Sequence, residues 1–137
     1  MDENSSGFFK TYYILMIIFA IIGLTDSFLT YFAKSLVEYI IWSVITSLLS
    51  LGVFILSIIA VIKFTKNQFS KITLVIPIFH IAYPVFLLII GIIWGIMSVA
   101  SGNLINPQTI PVWLILIGIV SSLFELVFSG YILNKFK

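Results

Sequence analysis

A chain of 137 residues has the length of one domain, but with 61% hydrophobic and only 9% charged residues it lies far outside the composition of soluble globular proteins. A domain this small keeps much of its surface exposed, so its Ile, Leu, Val and Phe side chains must face lipid rather than water. A net charge of +2, with every basic residue a lysine, excludes a nucleic-acid footprint, and the absence of cysteine excludes thiolate catalysis, disulfides and sulfur-ligated metals.

The chain opens on a polar, acidic stretch ahead of an apolar run too long for a signal-peptide core and without a small-residue cleavage site, so the first apolar segment is expected to be retained as a span. Asn4, Ser5 and Ser6 match a glycosylation pattern, but they fall on the side assigned below to the cytoplasm. Crossing the hydrocarbon layer takes about 20 apolar residues. Four stretches satisfy this: residues 12–32, 39–62, 72–100 and 112–133. Lys34, Ser35 and Glu38 separate the first pair, a lysine-bearing loop over residues 63–71 the second, and an uncharged segment over residues 101–111 the third.

Lysine placement orients the spans. Lys10, Lys63, Lys66, Lys71, Lys135 and Lys137 share one side against Lys34 on the other, which puts both termini in the cytoplasm of a cell membrane. Tyr12, Tyr13, Phe64, Phe69 and Tyr131 then fall at the inner boundary and Tyr31, Tyr39, Trp42 and Trp113 at the outer one, as aromatic belts. The expected fold is a single all-α transmembrane domain, an antiparallel four-helix bundle of up-down-up-down topology, because short connections force neighbouring helices together.

Each span carries a stripe of small or polar residues at helical spacing. These are Ala20, Gly23, Ser27 and Thr30 on the first, then Ser43, Thr46, Ser47, Ser50 and Ser57 on the second. The third has Gly91, Gly95, Ser98 and Gly102, with His80 on nearly the same face, and the fourth has Gly118, Ser122, Glu125 and Ser129. Close helix packing explains such stripes, since small residues let backbones approach where lipid supplies no hydrophobic drive. A polar pathway lined by the serines of the second helix explains them as well.

Ionisable groups within a membrane are costly, which makes Asp26, His80 and Glu125 the candidate site residues. His80 follows Lys71 by nine residues and Glu125 precedes Lys135 by ten. At about 1.5 Å per residue both therefore lie roughly 14 Å from the inner boundary, on adjacent helices, and a direct contact is expected. That contact is either a bond that fixes helix register or a pair that handles protons or cations, because histidine changes charge near neutral pH. Ser122 lies one turn from Glu125 and joins the candidate set. Asp26 is roughly 10 Å nearer the outer surface, too far for a three-ligand metal site with the other two. A first span beginning at Phe8 would instead leave Asp26 at the outer headgroups.

Pro77 and Pro84 stand one heptad apart in the third span, which predicts a kinked helix with the carbonyls of Thr73 and His80 left free, Pro84 being the one beside the ionisable ring. No P-loop, HExxH or GxSxG pattern is present, and one histidine cannot supply two haem ligands, so neither an enzyme nor a cofactor is expected. Two functions fit: a small ion- or proton-linked channel or transporter acting as a homo-oligomer, or a non-catalytic subunit of a larger membrane complex. The partners are then the lipid bilayer and other membrane chains, not nucleic acid.

Overall fold

A computed structural model describes residues 3–32, 36–100 and 112–136, and their side chains except at 3–5, 30–32, 36–39 and 98. It is all-helical: α1 (Glu3–Phe32), α2 (Leu36–Lys66), α3 (Val75–Ala100) and α4 (Val112–Lys135), with a 3-10 turn over Lys71–Leu74 leading into α3. All four helices are long and apolar enough to cross a membrane, over Ser6–Leu29, Ile40–Lys66, Lys71–Met97 and Val112–Lys135. Large apolar side chains such as Ile18, Leu48, Leu88 and Val127 point outward along every helix. This surface is compatible with a multi-pass membrane protein, since lipid can cover it at no cost and water cannot.

The tightest seam joins α1 to α4. A Cβ added to Gly23 would stand 2.7 Å from Ser122 Oγ, and one added to Gly118 would stand 2.9 Å from Ser27 Oγ. The two contacts are reciprocal, glycine to serine and serine to glycine. Position falls along α4 as it rises along α1, so these helices run antiparallel, and Phe9 against Phe136 at 6.2 Å continues the same register. On α1 and α4 the small-residue stripes thus bring backbones close, where dispersion contacts and not hydrophobic transfer hold helices together.

The lysine-bearing end is closed by aromatic side chains. Phe9, Tyr12, Tyr13 and Phe64 are buried together with Met16, Ile76 and Ile132. Phe69 stacks on Phe9 with centroids 5.1 Å apart, and Lys63 Nζ sits 4.2 Å from the Phe8 ring. Tyr12, Tyr13 and Phe64 were expected as a belt at the headgroups. They form a core instead, because α1 begins at Glu3 and its first turns reach past residue 12 to pack on the ends of α2 and α4. Tyr131, exposed and hydrogen-bonded to Lys135 Nζ at 3.1 Å, does have the character of a belt residue.

Pro77 also differs from expectation. It lies in the first turn of α3, where a missing N–H breaks no helical bond, and the Thr73 carbonyl it cannot engage accepts the Tyr13 hydroxyl. Only Pro84 stands inside α3. The ridge of Gly91 and Gly95 makes no close contact: nothing lies within 4 Å of where either Cβ would stand. At that end Trp94 and Trp113 meet at 5.6 Å between α3 and α4. The turn at Lys34, Ser35 and Glu38, the tyrosines Tyr31 and Tyr39, stripe positions Thr30, Ser98 and Gly102, the segment 101–111, Lys137 and the glycosylation pattern fall outside the described residues or side chains.

Candidate functional site

Helices α3 and α4 are linked through side chains more than through close backbone packing. His80 Nε2 and Glu125 Oε1 lie 2.8 Å apart, both residues being buried. Phe79 meets Phe124 at 5.4 Å beside them. The His80 ring is flanked edgewise by Phe19 of α1 and by Phe79, each at 5.6 Å, so it has little room to turn away from the carboxylate. Whichever group carries it, the pair holds a proton in common: an imidazole N–H donates to a carboxylate, or a carboxyl O–H donates to a neutral imidazole nitrogen.

Where the backbones of α3 and α4 part, a cavity of about 220 Å³ opens in the middle of the bundle. Asp26, His80 and Glu125 all line it, with Ser122 and Pro84 on the same wall system. Every candidate residue named from the sequence thus borders one space. Further hydroxyls come from Ser27, Ser50 and Ser121, and apolar surface from Phe19, Phe79, Tyr83 and Leu87. A second cavity of about 340 Å³ lies between α1 and α2, lined by Thr46, Ser47 and Ile22 in addition to residues shared with the first. Phe19, Gly23, Asp26 and Ser50 belong to both, so the two spaces adjoin.

The register of α1 on α4 fixes the depths. Asp26 is level with Ile119, six residues from Glu125, and so stands about 9 Å closer to the lysine-poor end. It is half-buried, and the first span, Ser6–Leu29, starts early and ends three residues beyond it, as in the alternative that leaves Asp26 near the outer headgroups. The Trp42 indole lies near its carboxylate, yet the buried Nε1–H closes no hydrogen bond among the described residues. No group of three metal-binding side chains occurs among the described residues.

The stripe on α2 divides in two. Thr46 and Ser50 face the cavities, whereas Ser57 is fully buried in the closed end and hydrogen-bonds Tyr12 Oη at 3.0 Å. Several hydroxyls are satisfied within their own helices: Ser27 Oγ donates to the Gly23 carbonyl at 3.0 Å and Thr46 Oγ1 to the Trp42 carbonyl at 3.1 Å. Their lone pairs stay available to the cavity. Below the cavity Met16, Tyr12, Tyr13 and Phe64 shut off the lysine-bearing end. Tyr13 holds this plug to the turn before α3 through the Thr73 carbonyl, which sequence reasoning identified as free without identifying its partner. Among the described residues the polar space therefore extends from Glu125 toward the lysine-poor end. No family model, curated protein or solved structure matches this chain.

Proposed function

We propose that the protein is a small ion- or proton-linked membrane transporter or channel, an up-down-up-down bundle with both termini in the cytoplasm, working as a homo-oligomer and performing no catalysis. The observation that carries this reading is the central cavity in which Asp26, His80 and Glu125 converge with serine hydroxyls. Such groups are expensive to keep in lipid, and a purely structural hydrogen bond between helices does not call for an open polar space beside it. The lysines at Lys63 and Lys135 flank the aromatic plug, which supports an inward-facing closed end under the positive-inside rule. An outer vestibule, a buried proton-sharing pair and an inner plug are the parts of a gated pathway. Release of the Tyr13 hydroxyl from the Thr73 carbonyl is the opening step this geometry suggests.

Flux in proteoliposomes tests the reading directly. A pH or sodium gradient is expected to drive proton or cation movement that empty liposomes lack, and no flux under any gradient would reject it. Tyr13→Phe removes a hydrogen bond worth about 1 kcal/mol. It is expected to raise the resting leak several-fold while lowering the melting temperature in detergent only slightly. Orientation has its own test, made simple by a cysteine-free chain. Asn67→Cys is expected to react with an impermeant thiol reagent only from the cytoplasmic face.

One observation favours a second reading, an accessory subunit of a larger assembly: the Gly91 and Gly95 ridge of α3 has no neighbour within 4 Å among the described residues. Extraction in mild detergent separates the two. Recovery as an assembly of this chain alone supports the transporter, and constant co-purification of another membrane protein supports the subunit.

A further inference from the structure

Resting on the transport reading, we propose that the central cavity binds a small organic ammonium ion in preference to a bare inorganic cation. The sign of the charge follows from the wall. Two carboxylates, Asp26 and Glu125, face one imidazole, and no lysine lines the space among the described residues. With the carboxylates ionised the wall is net negative whichever state His80 adopts, so an anion is repelled and a cation attracted.

The choice among cations follows from size and lining. A selective site for a bare ion wraps it in oxygen ligands at about 2.3–2.6 Å, as calcium sites do. A void of about 220 Å³ is no such shell. It has room for about seven waters at roughly 30 Å³ each, or for an organic ion of comparable bulk. Phe19, Phe79, Tyr83, Pro84 and Leu87 give it a largely apolar wall, with charge at Asp26 and Glu125. A wall of that kind, with few convergent polar groups, suits a small organic molecule. Aromatic rings attract ammonium groups through their negative faces, and alkyl substituents find apolar contacts that a hydrated sodium ion cannot use. The Gly23 backbone and Ser122 hydroxyl complete the opposite side without side-chain bulk.

The test is binding to the full chain purified in detergent, followed by calorimetry and by melting temperature. The probes are tetramethylammonium, tetraethylammonium and butylammonium chlorides, compared with sodium chloride at equal ionic strength. The ammonium salts are expected to raise the melting temperature by several degrees, with sodium giving no more than the salt baseline. Phe19→Leu is expected to weaken ammonium binding about fivefold, as loss of one aromatic contact would. Glu125→Gln is expected to weaken it at least tenfold; its melting temperature without ligand verifies folding, and Phe19→Leu stands as the independent variant if it fails. Equal effects of sodium and ammonium, no effect of either, or unaltered binding in Phe19→Leu would overturn the proposal. Parallel flux measurements keep the two claims apart. Sodium or proton flux without ammonium binding contradicts the ligand class and leaves transport standing, whereas ammonium binding without any flux supports the ligand class and contradicts transport.

Discussion

Glu125→Gln is expected to reduce flux by about two orders of magnitude, the usual scale for removing a group that takes part in proton transfer, while leaving the bundle folded. Glutamine keeps the shape and still hydrogen-bonds the imidazole at the 2.8 Å position, so the link between α3 and α4 survives. What it loses is the ability to exchange a proton or balance a cation. His80→Leu should behave differently. It leaves Glu125, only 3% exposed, without its partner. Breaking a buried pair in this way costs about 3–5 kcal/mol if the carboxylate stays charged. The contrast is informative: stability lost in His80→Leu but flux lost in both variants points to a working pair, whereas a merely structural bond would leave flux in Glu125→Gln close to wild type.

The second large effect is expected at the α1–α4 seam. Gly23→Leu places a branched side chain where even a Cβ would stand 2.7 Å from Ser122 Oγ and 3.7 Å from Ser122 Cβ. Overpacking of this kind costs about 1–3 kcal/mol in well-packed cores, and here the obstacle sits between two backbones that must approach closely. A clear fall in melting temperature in detergent is the expected result. Gly23→Ala should be far milder, because the nearest atom is a serine hydroxyl that can rotate to another staggered position. Combining Gly23→Ala with Ser122→Ala should restore near wild-type stability, since the clash and its partner go together. If Gly23→Leu melts like wild type, the seam is not where the bundle is held.

Much of this architecture was legible in the sequence because its causes are local. The length of an apolar run and the identity of the residues that interrupt it decide how many helices can cross a bilayer, and four were readable. The meeting of His80 and Glu125 was legible for a related reason. Counting residues from Lys71 and from Lys135 gives equal depths, and helical periodicity gives the face. What periodicity does not supply is the distance between neighbouring helices. The stripes on α1 and α4 close into a seam, the one on α2 divides between a cavity and the closed end, and Gly91 and Gly95 of α3 meet nothing among the described residues, yet all four look alike as sequence. The difference lies in partners elsewhere in the chain. Trp94 meets Trp113 between α3 and α4 at one level, while Gly23 and Gly118 let α1 and α4 close at another.

The aromatic residues teach a related lesson. Tyr12, Tyr13 and Phe64 have the composition of a headgroup belt, and only their neighbours decide whether such rings face outward or inward. Phe9, Phe69 and Phe136 supply apolar partners for the rings, and Ser57 and the Thr73 carbonyl supply partners for the two hydroxyls, which makes burial favourable. Apart from Phe9, these partners come from other segments of the chain and leave no mark on the sequence around Tyr12. The position of Pro77 depends in the same way on the 3-10 turn over Lys71–Leu74, which moves the start of α3 to within two residues of the proline.

The most direct examination of the account is whether water reaches the cavity from one side alone. Ser50→Cys lies on its wall, and in oriented vesicles an impermeant thiol reagent should modify it from the lysine-poor face but not from the lysine-bearing face, while Leu88→Cys, on the apolar outer surface, is expected to stay unreactive. Absence of reaction at Ser50→Cys from either face, or equal reaction at both positions, would contradict it.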